Sequence, residues 1–314
     1  MLTQELLSLL WCPTCRRGAL HAASGDAAGG DAAGGGVAGD VVPTDGELAC
    51  AACGSRYPVA GGVPALIPHD ATNTEAWALW RKHLDKFQAR RDDRVANPER
   101  AAARSMKTSR PQEPFARFTR ITSGTLLDVG CGPGKFRANF DVGRVRYVGL
   151  DPIALPEIGT FPFVRGVAEY LPFRAGAFTD VVVLAALDHF RDTALFFREA
   201  ARVLGATGRL HILQSVHELR GATSLVKVLG HKVKDAVEDW DTRAHGSEVP
   251  KHLSEFTSRS LLHAAAPYFD LAAQEEYNAT WYTPTKLFLS LRPKHVAGRA
   301  GVAAAWPAPA RAAS

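Results

Sequence analysis

Short apolar runs, separated by polar stretches marked with glycine and proline, dominate the middle of this chain. Residues 126–129, 145–150, 181–184 and 210–213 read LLDV, VRYVGL, VVVL and LHIL. They are too short for helices and apolar enough to be buried on both faces, as strands of a parallel sheet are. Between the last two, residues 193–204 carry apolar positions at helical spacing. Strands alternating with helices predict a doubly wound α/β sheet whose ligands lie at the carboxyl ends of the strands. Further on, residues 258–266 predict a late helix, and 268–274 and 286–291 two final strands paired as an antiparallel edge. Upstream, Trp77, Trp80, Leu84 and Phe87 recur every three or four positions. That spacing predicts an amphipathic helix over 74–95, packed on the larger domain.

Composition narrows the class. Hydrophobic residues make up 46% and charged residues 22% of the 314 positions, which excludes a wholly disordered or fibrous chain. A net charge of +5 is too dilute to establish a nucleic-acid partner. No run approaches about 18 apolar residues, and the amino terminus lacks a basic start and a small-residue cleavage site. These features predict a cytoplasmic protein without a membrane partner. Residues 22–40 are almost entirely Ala, Gly, Asp and Ser, which predicts a disordered insert. Residues 90–120 are rich in Arg and broken by Pro98, Pro111 and Pro114, a basic linker that reads first as a solvated face. The predicted organisation is a small module over 1–69, a helical and basic linker over 70–121, an α/β domain over 122–295 and a disordered tail over 296–314.

Four of the five cysteines form two Cys-x-x-Cys pairs, Cys12/Cys15 and Cys50/Cys53. Four thiolates are the soft donor set of tetrahedral zinc, and a module this small needs its metal to fold, so the predicted Zn2+ is structural. Through Cys12-Pro-Thr-Cys15, Cys50-Ala-Ala-Cys53-Gly-Ser-Arg-Tyr57-Pro58 and Gly61-Gly-Val-Pro64, the module resembles the Trm112-like zinc ribbon over about 65 residues. Members of that family are platforms for methyltransferases, which implies a docking role in cis. The Ala/Gly insert departs from the compact hairpin usual there.

The first predicted strand ends in Leu126-Leu-Asp-Val-Gly130-Cys-Gly132-Pro-Gly134. Glycines at such a turn permit positive φ and leave backbone uncovered for a ligand at the start of the next helix. A dinucleotide fingerprint needs a third glycine where Lys135 stands. The spacing instead resembles motif I of class I S-adenosylmethionine-dependent methyltransferases, with Asp128, Gly130, Cys131, Gly132 and Gly134 as cofactor residues. Asp151, ending the second strand, can accept hydrogen bonds from both ribose hydroxyls, and Pro152 and Ile153 can pack on adenine. Gly166-Val-Ala-Glu169-Tyr-Leu-Pro-Phe173, Phe178 through Leu187-Asp-His-Phe-Arg-Asp192, and Arg202-Val-Leu-Gly with Gly208-Arg-Leu continue the resemblance over roughly 122–292. It implies a Rossmann-like seven-stranded methyltransferase sheet, and places Val167, Ala168, Glu169 and Leu187 at the cofactor. One departure stands out: Val167 occupies the position where the family has an Asp that accepts from the adenine amino group. The contact then falls to backbone or Glu169, or is lost, as in a non-catalytic binding protein of the same fold.

Methyl transfer is an in-line displacement at an activated carbon, so alignment and desolvation do most of the work. For a hydroxyl acceptor a general base helps, and Asp188 and His189 follow the fourth strand at the pocket mouth. His211, His217, His245 and His252 are lesser candidates, with His211 read as a satisfied core residue. Residues 216–258, with Lys227, Lys232, Lys234 and Trp240, predict an acceptor lid. The sequence lacks an Asn/Asp-Pro-Pro-Tyr/Phe motif and so argues against the usual base-amine methylases. A small-molecule acceptor, O-methylated, is the favoured reading, and an RNA acceptor the alternative. Nothing in the pattern fixes an oligomeric state.

Overall fold

The computed structural model describes residues 2–23, 42, 44–99, 111–153, 161–217, 252–278 and 285–294. The predicted insert core, the 296–314 tail and Lys227, Lys232, Lys234, Trp240 and His245 lie outside these residues.

The amino-terminal module begins with helix α1 (Gln4–Leu9), capped by Thr3, whose hydroxyl accepts from Leu6 N–H. Strands β1 (Leu20–Ala22), β2 (Gly46–Cys50), β3 (Arg56–Ala60) and β4 (Val63–Pro64) form an antiparallel sheet in chain order. In β3, Tyr57 and Val59 are buried while Arg56, Pro58 and Ala60 are exposed, the alternation of a one-sided sheet. A short helix α2 (His69–Thr72) leads into α3 (Ala78–Ala96), preceded by a 3₁₀ turn at Glu75–Trp77. The predicted helix over 74–95 is thus present. Its buried side carries Trp77 and Trp80 in edge contact, 5.0 Å between centroids, together with His83.

After α4 (Gln112–Thr119) come β5 (Gly124–Val129), β6 (Val145–Asp151), β7 (Phe163–Arg165), β8 (Phe178–Leu184), helix α5 (Thr193–Val203) and β9 (Leu204–Val216). Helix α6 (Ser258–Ala265), strand β10 (Phe269–Tyr277) and strand β11 (Thr285–Pro293) complete the described elements. The seven strands lie in the order β10-β11-β9-β8-β5-β6-β7. Neighbours from β9 through β7 run parallel, and β11 is antiparallel to both β9 and β10. The predicted class I methyltransferase architecture and its antiparallel edge are both observed.

Side chains alternate between two layers, as a sheet buried on both faces requires. Leu126, Val182 and Phe288 face a layer with Phe115 of α4 and Phe136. Leu127, Val129, Val181 and Val183 face the other layer with Phe196, Phe197 and Ala200 of α5 and Leu261 of α6. That second layer is continuous with the core of the amino-terminal module, including Leu6, Leu10, Leu48 and Leu66. The module covers the open side of β7: Ala65 bridges Arg165 in parallel, with Leu66 N–H donating to the Arg165 carbonyl at 2.7 Å. On the far side of the same segment Leu10 bridges Phe173, flanked by Trp11 N–H to the Pro172 carbonyl and Arg174 N–H to the Leu9 carbonyl, both 2.9 Å.

One local expectation is corrected. The glycine turn opens not into an α-helix but into a 3₁₀ turn, Lys135–Asn139. Asp141 ends it, accepting Gly143 N–H on Oδ1 at 2.9 Å and Arg144 and Val145 N–H on its carbonyl. The turn at Asp141 closes this stretch and leads directly into β6.

Candidate functional site

Two constellations stand out. In the first, the turns that follow α1 and β2 bring the four cysteines together. Cys12 and Cys53 Sγ are 3.7 Å apart, Cys15 and Cys50 Sγ 3.6 Å, and all four lie within 4.8 Å of one another. A tetrahedron of thiolates at about 2.3 Å from zinc has edges of about 3.8 Å, so the donors present fit a structural zinc. Gly18 is required beside them, because a Cβ there would stand 2.4 Å from Cys50 Sγ.

The second is a cavity of about 240 Å³ at the carboxyl ends of β5, β6 and β8. Its floor is Val129, Gly130, Leu150 and Asp151, one wall is Val167, Ala168 and Glu169, and α3 lines another side with Trp80, His83, Leu84 and Phe87. Gly130 has φ +74°, and a Cβ would meet the Ala186 Cβ at 2.5 Å. Only glycine serves at such a turn. Asp151 is buried and ties the turn down, accepting Gly132 N–H at 2.9 Å and Ile153 N–H at 3.0 Å. Each oxygen keeps a lone pair for a further donor. Asp128 sits behind the turn, where its Oδ2 accepts from the Tyr147 hydroxyl at 2.6 Å and burial pushes its carboxyl up to about 7.

Of the residues expected at a cofactor, Gly130, Asp151, Pro152, Ile153, Val167, Ala168 and Glu169 line this cavity. Asp128, Cys131, Gly132, Gly134 and Leu187 lie outside its wall: Gly134 is held under the Phe161 ring and Leu187 is in the core. One carboxylate oxygen of Glu169 is taken up by the turn before α5. Oε1 accepts Arg191 N–H at 2.7 Å and Asp192 N–H at 3.1 Å.

Beyond β8, the 3₁₀ turn Leu187–His189 presents His189 to the cavity. Its Nδ1 lies 3.1 Å from His83 Nε2, and its ring stacks on His252 with centroids 5.1 Å apart. Asp188 immediately precedes His189 in sequence and lies beside both His189 and His252 in space. Burial alone would raise its carboxyl, but the imidazoles of His252 and His189 outweigh it and hold it below the ordinary range. Asp192 caps α5, so that role does not fall to Asp188 or His189. His211 is buried against Asp180, 3.1 Å away, as a core residue. His83 was not legible as a site residue. Its signal was a histidine on the apolar face of α3, three positions after Trp80.

Residues 127–212, which hold the cavity floor, the Val167–Glu169 wall and His189, match the family model described as a methyltransferase domain. That stretch is similar to a methyltransferase domain. No curated protein sequence matches it. Among solved structures, the chain is similar to Burkholderia thailandensis 1,6-didemethyltoxoflavin-N1-methyltransferase with bound 1,6-didemethyltoxoflavin and S-adenosylhomocysteine. That match has 16% identity and a TM-score of 0.48, and covers 68% of this chain and 91% of the other. A chain in the complex that contains the Haloferax volcanii Trm112 methyltransferase activator matches with 16% identity and a TM-score of 0.46, over 66% of this chain and 98% of that one. Among the described residues of this chain, no helix is long and apolar enough to cross a membrane.

Proposed function

We propose that this chain transfers the methyl group of S-adenosylmethionine to a hydroxyl of a small-molecule acceptor. The observation that carries the reading is the lining of the cavity by aromatic side chains of α3, with His189 on its wall. A concave site lined this way suits a small acceptor better than an RNA strand. In this reading Gly130 lets the cofactor approach the backbone, Asp151 accepts from the ribose hydroxyls, and Pro152 and Ile153 pack on adenine. Val167 offers adenine an apolar contact in place of a carboxylate, so recognition of its amino group falls to backbone. The acceptor oxygen forms the new bond to the methyl carbon as the carbon–sulfur pair returns to sulfur. The hydroxyl proton leaves toward His189, beside Asp188. Cys12, Cys15, Cys50 and Cys53 hold a Zn2+ that shapes the ribbon and takes no part in the transfer. Residues 1–69 then form the ribbon and 122–295 the catalytic domain, with 70–121 as the link that supplies α3.

Calorimetric titration with S-adenosylmethionine and S-adenosylhomocysteine tests the cofactor. Saturable binding near one per chain is expected, and its absence rejects the catalytic reading in favour of a binding protein of the same fold. His189→Ala is expected to lower turnover more than about tenfold while leaving cofactor affinity nearly unchanged. Equal turnover in the variant removes His189 from the mechanism.

A further inference from the structure

Outside the ribbon, Asp188, His189 and His252 bring three donors together beside the cavity. One donor atom from each lies within 4.8 Å of the others. His252 Nδ1 is 2.6 Å from Asp188 Oδ2, and His189 Nε2 is 3.9 Å from Asp188 Oδ1. Two donors on one ion with bonds of about 2.1 Å can be at most about 4.2 Å apart, and both separations fall inside that limit.

The contact between His252 and Asp188 is close but not aligned. His252 Nδ1 is buried and makes no hydrogen bond, and the same holds for Asp188 Oδ1. Donor atoms this close together, with none of their own alignment spent on a hydrogen bond between Nδ1 and Oδ1, are what a shared cation needs. The site is also built. Leu253 and Ser254 N–H donate to the Asp188 carbonyl at 2.8 and 3.2 Å, which fixes His252 against a residue far from it in sequence. His83 Nε2 lies 3.1 Å from Nδ1 of His189, and the Nε2 of His189 faces Asp188 Oδ1 at 3.9 Å. Ligating histidines commonly have such a partner on their second nitrogen. Lys286 approaches the same carboxylate, but its ammonium donates to Ser215 Oγ.

We propose that Asp188, His189 and His252 hold a divalent transition-metal cation at the acceptor end of the cavity. Two imidazoles and one carboxylate favour a cation such as Zn2+, Mn2+, Fe2+ or Co2+ over the all-oxygen preference of Ca2+ and Mg2+, and leave coordination positions open. For the transfer itself this rests on the methyl-transfer reading above and replaces the base role given there to His189 with that of a ligand. An acceptor hydroxyl at an open position releases its proton to solvent more readily. Its oxygen pair then forms the O–CH3 bond while the C–S pair returns to sulfur.

The test is titration of the full chain, its ribbon metal in place, with Co2+ in the absence of S-adenosylmethionine. The expected result is roughly one further equivalent with weak visible bands and no thiolate charge-transfer absorption, the mark of nitrogen and oxygen ligands. Asp188→Asn and His252→Ala should abolish it, and His83→Phe should weaken it by about 10–100-fold. Melting curves establish that each variant is folded; if Asp188→Asn is not, the half-exposed His252 carries the test. No saturable cobalt signal, a signal only from thiolates, or one that survives in His252→Ala overturns the site. Cobalt binding in a chain that fails to bind S-adenosylmethionine sinks the cofactor reading alone. Cofactor binding without the cobalt signal sinks only the cation.

Discussion

At Glu169, burial pushes the carboxyl up to about 7 from 4.5 for the free side chain, while Oε1 accepts two backbone N–H groups from the turn before α5. The sign of the effect follows from proton counting. Between about pH 4.5 and 7 the folded chain keeps a proton that the unfolded chain releases, so stability present below the lower value is lost as pH rises through the upper one. Glu169→Gln keeps the accepting oxygen and removes the ionisation. Thermal melts from about pH 4.5 to 8 are expected to show the variant gaining on the parent as pH rises to about 7, with no further gain above. A constant difference across the range would show that the carboxyl ionises equally in both states. At this scale the glycine turn and Asp151 were legible, because positive φ and a strand-end carboxylate leave marks at fixed spacing. His83 and His252 were not legible as partners of His189 and Asp188. Their contacts join segments far apart in the chain, and periodicity carries no information about which distant rings will meet.

At the scale of elements, the cysteine knuckle also grips the Val167–Glu169 wall of the cavity. Arg16 follows Cys15 in a left-handed conformation, φ 56°. From there its guanidinium pairs with the buried Glu199 of α5 at 3.0 Å, donates to the Glu169 carbonyl at 3.1 Å and lies over the Tyr170 ring. Arg202 makes two further hydrogen bonds to Glu199, so loss of Arg16 does not strand that carboxylate. Arg16→Met is therefore expected to cost only about 1–3 kcal/mol of stability. It should weaken cofactor binding several-fold, because residues 165–174 lose a restraint beside the cavity. Parallel melting and calorimetric titration check it, and unchanged cofactor affinity would confine Arg16 to a structural role. The strands were legible from their apolar runs, which burial on both faces demands. The 3₁₀ turn after the glycines was not, since its length is set by where Asp141 stops it and not by any periodicity.

For the molecule as a whole, the ribbon and the large sheet share one hydrophobic layer, from Leu6 and Leu48 to Val181 and Phe197. Metal removal should accordingly lower a single cooperative transition and not create a separate early one. Calorimetry before and after chelation reads this, and two resolved transitions would mean that the ribbon folds on its own account. The sequence announced two modules through a composition break and two cysteine pairs. It could not announce their common core, because apolar residues in each half are already explained by that half alone. The bridge between Ala65 and Arg165 has one more effect. β7 is the last strand of the sheet and would otherwise present unpaired N–H and C=O groups to solvent. With the ribbon in place that rim is sealed. A chain deprived of its thiolate-bound metal is exposed to edge-to-edge self-association, and so faces precipitation, a failure distinct from the loss of catalysis.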